Sequence, residues 1–509
     1  MDILANLADG FAVAFTPVNL LYVVVGVSVG MVIGVLPGLG PAATIALLLP
    51  ITFGLESATA IIMLAGIYYG AYYGGTITSV LLRLPGEAAS VVTAIDGYQM
   101  ARQGRAGAAL GISAIGSFIG GLVAVVGMVL IAPPLADFAV GFGPPEYVAL
   151  AAVGLLLVTY LGTRSFSMSI VSALLGLFLA LIGIDPIAGT PRFTFGIEEL
   201  RDGLNFVPVA MGLFGIGEIL FNLEGRYGSA DDRAKVGRIL PTRDDLRRSS
   251  GAITRGSLMG FLIGVLPGGG GVVSSLTSYG IEKRVSKQPE RFGHGAIQGV
   301  AGPETANNAS STSAFIPLLT LGLPSNGVLA LIFGALLLQG VTPGPDLITA
   351  HPDIFWGVIA SMVLGNVVLL VLNLPLVGVF VQLLKVPIEV LAALTVLITM
   401  VGVFSVRNNI FDMYVVLAFG ALGYLMRKIG LEPGPLVLAF VLGPIMETSF
   451  RQSMLISNGD PAVFVTRPVS GTLLGLALLV LCWSVFGKAI GRRRKATEEN
   501  GTLTKTEAE

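Results

Sequence analysis

The chain has 509 residues, of which 54% are apolar and only 12% are charged. Soluble domains carry about 25% charged residues, so this composition excludes a soluble enzyme. The 30 Lys and Arg nearly balance the 31 Asp and Glu, which gives no reason to expect a nucleic acid partner. The only cysteine, Cys482, excludes an internal disulfide and a CxxC redox pair, and we expect it to pack as a small apolar residue.

Apolar runs recur along the whole chain, at 18–36, 110–131, 147–161, 358–384 and 472–486. Several approach the length of about 20 residues that a helix needs to cross a bilayer. The first run follows a segment without the basic start of a secretory signal, so we interpret it as a retained span. Glycine, with 68 residues, is spread through these runs, as in closely packed membrane helices. The sequence therefore predicts an all-α polytopic membrane protein with about 11–12 transmembrane helices.

A six-residue motif occurs twice, which predicts an internal repeat. The sequence IGVLPG stands at Ile33–Gly38 and again at Ile263–Gly268, 230 residues further on. Two weaker echoes follow in the same order, LPG at 84 with LPS at 323, and GIDP at 183 with GLEP at 430.

The distribution of Lys and Arg sets the expected orientation of the two repeats. The stretch 224–251 and the tail 488–495 are rich in Lys and Arg, whereas 1–17 has none. The positive-inside rule therefore places the N-terminus outside the cell membrane, and the middle and the C-terminus in the cytoplasm. An odd number of crossings in the first half follows, so the repeats are predicted to have inverted topology. The expected organisation is a first transmembrane repeat at 18–222, a cytoplasmic linker at 223–251, a second repeat at 252–455, a final helix at 470–487 and a cytoplasmic tail at 488–509.

Two Pro-Gly elements break apolar helices at matching places in the repeats. Pro removes a hydrogen-bond donor and Gly permits positive φ, so each element is predicted to form a broken or re-entrant hairpin. Half-helix N-termini at such breaks present N–H groups to anions near the midplane of secondary transporters. The alternative interpretation is a glycine seam for close helix packing. The candidate substrate-binding residues here are Pro37, Gly38 and Gly40, with Pro267, Gly268 and Gly269.

The stretch 302–313 combines a carboxylate, two amides and several hydroxyls before an apolar run. Glu304, Asn307 and Asn308 are candidate ligands for a coupling ion, Na⁺ or H⁺, because these are hard oxygen ligands. Further candidate substrate ligands are Ser311 and Ser313, with Thr76 and Thr78 in the first half. The alternative interpretation is an aqueous loop with a helix N-cap.

Other polar residues have simpler interpretations. The tyrosines at 68–73 either line the site or act as interfacial anchors. Arg83 and Glu87 are four residues apart and are interpreted as an ion pair at the rim. Glu447 and Arg451 have the same spacing and are expected to pair on a helix face, with a coupling-ion carboxylate as the alternative.

Catalytic and nucleotide-binding motifs are absent from the sequence. There is no GxxxxGK[ST] phosphate loop, no HExxH and no GxSxG, and His294 and His351 stand alone. The sequence therefore predicts no enzyme, no cofactor, and no metal beyond a coupling Na⁺.

At these motifs the sequence resembles the large permease subunit of the bacterial tripartite tricarboxylate transporters, the TctA family. The resemblance spans about residues 15–485 and rests on GVLPGLGP at 34, GVLPGGG at 264, GPETANN at 302 and GLPS at 322. It implies an inner-membrane permease that works with a small four-helix membrane subunit, TctB-like, and a periplasmic solute-binding protein, TctC-like. It also implies ion-coupled uptake of a carboxylate.

We therefore interpret the chain as a secondary transporter that imports a tricarboxylate such as citrate, or a dicarboxylate, by alternating access. Three alternatives stay open at this stage. An anion channel would pass substrate without a binding protein, an intramembrane enzyme would use Glu304 as acid or base, and an ATP-driven permease would need a separate ATPase.

Overall fold

A computed structural model describes residues 3–36, 40–83, 86–161, 166–224, 237–383, 388–479 and 481. Almost all regular structure in these segments is helical, apart from one short antiparallel pair of strands, β1 (Gly183–Ile184) and β2 (Pro191–Arg192). A π-helical segment, Met211–Ile216, joins α9 to α10. Short 3₁₀ helices lie at Ala88–Val91, Glu198–Leu200 and Pro289–Arg291. The α-helices are α1 (Ile3–Ala14), α2 (Pro17–Val35), α3 (Pro41–Thr52), α4 (Ser57–Leu82), α5 (Thr93–Arg102), α6 (Ala106–Ala139), α7 (Pro144–Leu161), α8 (Phe166–Ala180), α9 (Phe206–Ala210), α10 (Gly217–Leu223), α11 (Arg243–Val265), α12 (Gly271–Val285), α13 (Gln298–Ser313), α14 (Phe315–Leu321), α15 (Gly327–Leu338), α16 (Leu347–Ala350), α17 (Pro352–Asn373), α18 (Val377–Leu383), α19 (Ile388–Arg407), α20 (Ile410–Ile429), α21 (Pro433–Ile456), α22 (Val463–Thr466) and α23 (Pro468–Leu479).

Eight helical segments of the described chain are long and apolar enough to cross a membrane. They are α2, α4, α6, the continuous unit α9–α10, α17, α19, α20 and α21. Six shorter apolar helices, among them α3, α7 and α8, account for further predicted runs. This confirms the prediction of an all-α polytopic membrane protein.

The helices that follow the two Pro-Gly elements are short. With 12 residues in α3 and 15 in α12, they span roughly 18 and 22 Å, less than the 30 Å of a hydrocarbon core. The lengths therefore favour re-entrant hairpins over full crossings.

Two glycine seams bring helices of each half into backbone contact. In the first half, Gly26, Gly30 and Gly34 of α2 face the backbone carbonyls of residues 63, 67 and 71 of α4. In the second half, glycines 256, 260 and 264 of α11 face those of residues 302, 306 and 310 of α13. Equivalent glycines of the two seams are 230 residues apart, and the residues that they face are 239 residues apart. These are the offsets of the IGVLPG motif and of the LPG and LPS motifs. The repeat is therefore visible in the packing, where small residues spaced by four allow close approach.

Helix α11 extends into the segment that the sequence analysis assigns to the linker. Helix α11 starts at Arg243, within the predicted linker 223–251, because Thr242 and Asp245 form a capping box at its N-terminus. The [ST]-x-x-[DE] pattern at these positions is visible in the sequence. Cys482 and the tail 488–509 lie outside the described residues, as does the predicted final helix beyond α23 apart from residue 481.

An ion-pair cluster fixes the segment around β1 and β2 to α21. The predicted pair of Glu447 and Arg451 forms, at 2.7 Å, and Arg192 also contacts Glu447, at 2.6 Å. Arg451 reaches Asp185 as well, at 2.8 Å. The N–H groups of residues 188 and 187, together with Arg451, lower the pKa of Asp185 to about 2. Glu447 therefore belongs to a structural cluster, which favours the pair over a coupling-ion role.

The seams predict that a single methyl group on α11 destabilises the fold. In Gly260→Ala the new Cβ would lie 2.2 Å from the carbonyl oxygen of Ala306, so α11 must move away from α13. We expect a loss of about 1–3 kcal/mol, measured as a lower Tm of the detergent-purified protein. The control is Gly280→Ala on α12, where the added Cβ has nothing within 4 Å. Equal melting temperatures for the two variants would contradict the role of the seam.

Candidate functional site

The polar stretch 302–313 forms most of α13 and is buried along its whole length. Several of its hydroxyls bond to backbone carbonyls of the preceding turn, as Thr305 does to residue 301 at 2.7 Å and Thr312 to residue 308 at 3.1 Å. Such bonds let Ser and Thr stay in a helix without exposed polar groups. The interpretation of this stretch as an aqueous loop is therefore wrong.

Glu304 lies at the centre of this helix and is completely buried. Its Oε2 accepts a hydrogen bond from the Thr76 hydroxyl at 2.6 Å, and the Thr93 hydroxyl donates to its other carboxylate oxygen. Both donors belong to the first half of the chain. Among the described residues no Lys or Arg forms an ion pair with Glu304. An ionised carboxylate buried without a cation is costly, so the site favours a bound proton or cation.

Asn307 and Asn308 each leave one amide oxygen without a protein partner. The Asn308 amide nitrogen donates to the Ser117 hydroxyl at 2.7 Å, and that of Asn307 donates to Oε1 of Glu87 at 3.2 Å. The Oδ1 atoms of both residues are buried and accept no hydrogen bond from the described chain, nor does the Ser310 hydroxyl. Buried acceptors without donors indicate a bound cation or water.

Glu87 is a second buried carboxylate, which the sequence did not single out as a ligand. Its Oε2 accepts the N–H of Ala89 at 2.8 Å, and its predicted partner Arg83 instead lies over the ring of Tyr98, 5.9 Å from its centre. The predicted ion pair is wrong because α4 ends at Leu82, so the spacing of four residues is not helical. Glu87 and Ser90 form a capping box at the start of a 3₁₀ helix. This Glu-x-x-Ser pattern is the feature of the sequence that could have indicated a helix cap at Glu87 in place of an ion pair.

The second Pro-Gly hairpin places the start of α12 against this cluster. Pro267 opens the turn, Gly268 has φ +78° and donates its N–H to the carbonyl of Ser325 at 2.8 Å, and Gly269 donates to that of Leu266. These two N–H groups therefore bind backbone oxygens in this conformation. A Cβ on Gly271 would lie 2.3 Å from Oδ1 of Asn307 and 2.8 Å from the Tyr72 ring. The first turn of α12 thus contacts both halves.

The first hairpin has different neighbours. Pro37 and Gly38 lie outside the described residues. Gly40 caps α3 next to Glu218, whose Oε1 would lie 3.2 Å from a Cβ on Gly40. Glu218 is itself paired with Arg427 at 3.0 Å. The structure therefore does not bring Gly40 to the cluster around Glu304.

The predicted hydroxyl ligands divide into two groups. Thr76 reaches across to Glu304, whereas Thr78, Ser311 and Ser313 bond to backbone carbonyls of residues 75, 308 and 261. The tyrosines of α4 are buried, with 7% exposure or less. Their interpretation as interfacial anchors is therefore wrong, and Tyr72 lines the start of α12.

The comparisons with known proteins agree with the polytopic fold. Residues 20–438 match the family described as "Tripartite tricarboxylate transporter TctA family". The chain is 51% identical over 483 residues, 94% of this chain and 96% of the relative, to the Agrobacterium vitis protein "Uncharacterized 52.8 kDa protein in TAR-I ttuC' 3'region". It is also 51% identical over 241 residues, 47% of this chain and all of the relative, to "Uncharacterized protein in TAR-II ttuC' 3'region" of the same species. No solved structure matches the chain.

The family match covers most of the chain, including both Pro-Gly elements and the buried helices α4 and α13. The near full-length relative extends the similarity over 94% of the chain. This multi-pass membrane protein therefore belongs to the tripartite tricarboxylate transporter TctA family, whose members are transporter subunits and not enzymes.

Proposed function

We propose that this chain imports a carboxylate across the bacterial inner membrane by alternating access, coupled to an inward flow of Na⁺ or H⁺. It acts with a TctB-like four-helix membrane subunit and a TctC-like periplasmic binding protein. Its N-terminus is periplasmic and its C-terminus cytoplasmic. No organic cofactor takes part.

One observation carries the proposal: the buried cluster where the two halves meet. Glu304 of the second half is held by Thr76 and Thr93 of the first half, and the adjacent Asn307 amide holds Glu87. Two carboxylates without a basic partner in the described chain, next to two unpartnered amide oxygens, form a set of hard oxygen ligands. Because both halves supply these ligands, binding a cation there changes the free energy of their relative movement.

The anionic substrate is assigned to the adjacent start of α12. This helix has 15 residues, and among the described residues no side chain caps it at Gly270, so its first N–H groups are available to a carboxylate. Its first turn contacts Asn307, so in this proposal the substrate and the coupling ion bind next to each other. A cation beside a carboxylate stabilises the bound anion, and this proximity is a direct physical basis for coupling.

The whole proposal is tested by uptake into proteoliposomes. The complex of this chain with its small subunit, supplied with the binding protein, should accumulate labelled di- or tricarboxylate against its gradient only with an inward Na⁺ or H⁺ gradient. Equilibration of substrate without the binding protein or the ion gradient would instead indicate a channel. Accumulation that requires ATP would indicate an ATP-driven permease.

Asn307→Leu should nearly abolish uptake while the protein still inserts into the membrane. The substitution removes the donor to Glu87 and the unpartnered Oδ1, and loss of one buried partner costs about 1–3 kcal/mol, or roughly 10- to 100-fold in rate. The measurement is initial uptake rate per inserted transporter. Thr254→Ala, an exposed change on α11, is the control and should transport normally. Unchanged uptake by Asn307→Leu would remove this residue from the site.

Glu304→Gln should separate transport from ion coupling. Gln keeps the volume and still accepts one of the hydroxyl hydrogen bonds, but it carries no charge for a cation. We expect binding of substrate at equilibrium to persist while stimulation of uptake by Na⁺ or by low external pH is lost. If the ion dependence of uptake is the same as in the wild type, Glu304 has a structural role only.

A further inference from the structure

Two hydrogen bonds cross between the halves on either side of the start of α12. In the first, which we name the Glu87 latch, the Asn307 amide of α13 donates to Glu87 in the loop after α4. In the second, the Asn326 latch, the Asn326 amide in the loop after α14 donates to the Tyr68 hydroxyl of α4 at 3.0 Å. Each latch therefore joins a loop of one half to the buried helix of the other half.

The two latches occupy equivalent positions of the repeat. Glu87 and Asn326 are 239 residues apart, and so are Tyr68 and Asn307. The local geometry also matches, because each loop residue caps the next helix through the N–H two positions on. Glu87 accepts the N–H of residue 89 at 2.8 Å, and Asn326 accepts that of residue 328 at 3.0 Å. The residues of the two latches are thus related by one offset, and their loop residues cap the next helix in the same way. The latches are therefore a paired feature of the repeat.

The latches lie at opposite ends of the candidate site. The Tyr68 ring packs on Phe315 at 5.9 Å, so along α13 and α14 the two latches are separated by eight residues, or roughly 12 Å of helix rise. Gly271 lies between them, against Asn307 on one side and Tyr72 on the other, and the Tyr72 hydroxyl donates to that of Tyr68 at 3.3 Å.

The surroundings of the two loops assign each latch to a membrane side. The Glu87 loop continues into a segment with Arg102 and Arg105, whereas the loop 322–326 has no Lys or Arg. The positive-inside rule places the first loop on the cytoplasmic side and the second on the periplasmic side. Gly322 and Leu323 of the Asn326 loop also line a cavity of about 370 Å³ with residues 342–346.

We infer that the Glu87 latch and the Asn326 latch are the inner and outer gates of the transport cycle. The inference rests on the proposed alternating-access function and adds which contacts open on each side. A site between two halves is exposed to one side at a time only if the contacts on that side break while the others hold. A single hydrogen bond is weak enough to break once per cycle, and both are closed here.

The test removes one latch at a time and measures from which side the site is reached. Cys482, the only cysteine, is replaced by Ser, and Gly270→Cys supplies a reporter at the start of α12, where an added Cβ has nothing within 4 Å. A membrane-impermeant maleimide is applied to right-side-out and to inside-out vesicles that contain the full complex. Asn326→Ser and Glu87→Ser are the matched variants, since Ser preserves each helix cap but is too short to reach the other half.

Asn326→Ser should raise the ratio of outside to inside labelling rates by roughly fivefold, the factor that one hydrogen bond supplies, and Glu87→Ser should lower it by a similar factor. Thr59→Val is the control, because it removes a buried hydrogen bond to Asn19 within the first half and should leave the ratio unchanged. An unchanged ratio in either latch variant, or a shift of both in one direction, would overturn the inference.

If a Ser variant does not fold, Tyr68→Phe tests the outer gate and Asn307→Ala tests the inner gate by the same criterion. Uptake by the wild-type complex is measured in parallel. If coupled uptake is normal and the labelling ratios do not change, the role of the latches as gates is rejected and the proposed function is not. Ratios that move as expected without any coupled carboxylate uptake reject the proposed function and leave the latches standing as gates of a different flux.

Discussion

The structure depends on burying a polar helix inside a membrane protein. Helix α13 carries a carboxylate, two amides and five hydroxyls between residues 304 and 313, and none of them reaches solvent. Some of these groups are satisfied within α13, but Glu304 and Asn307 find their partners only in the first half. The polar groups therefore hold the two halves together at one place, and any relative movement of the halves must exchange these hydrogen bonds for others.

The glycine seams make this arrangement compatible with a membrane. Glycines on α2 and α11 let each of these helices approach α4 and α13 closely enough to exclude other atoms from the contact. Close backbone packing supplies the van der Waals contacts that stabilise helix association where no hydrophobic driving force exists between helices. In the second half, the last glycine of the seam, Gly264, lies just before the turn at Pro267–Gly269.

Much of the fold could be predicted from the sequence, because hydropathy, the repeated IGVLPG motif and the Pro-Gly breaks are local signals. The concentration of polar residues in one stretch also marked Glu304, Asn307 and Asn308 as candidates for a single site, and the structure buries all three. The role of Glu87 could not be predicted, since its partner is 220 residues away and depends on how the halves pack. The ion pair predicted between Arg83 and Glu87 was wrong because a spacing of four residues brings side chains together only within a helix, and α4 ends at Leu82. The hydroxyls at 78, 311 and 313 resembled ligands in the sequence, yet backbone carbonyls accept the same hydrogen bonds, one turn away for Thr78 and Ser311 and on α11 for Ser313.

Gly40 and Gly270 show how equivalent positions of a repeat can acquire different chemical surroundings. Gly40 and Gly270 occupy equivalent positions 230 residues apart, each just before a half-helix. Glu218 stands beside Gly40, so a carboxylate of the protein already faces the positive end of α3. Gly270 has open space around it, and the helix that follows it contacts Tyr72 and Asn307. Near Gly40 the carboxylate of Glu218, which is paired with Arg427, already lies against the start of α3, whereas the start of α12 faces Tyr72 and Asn307. This difference favours α12 over α3 as the half-helix that faces an anionic substrate.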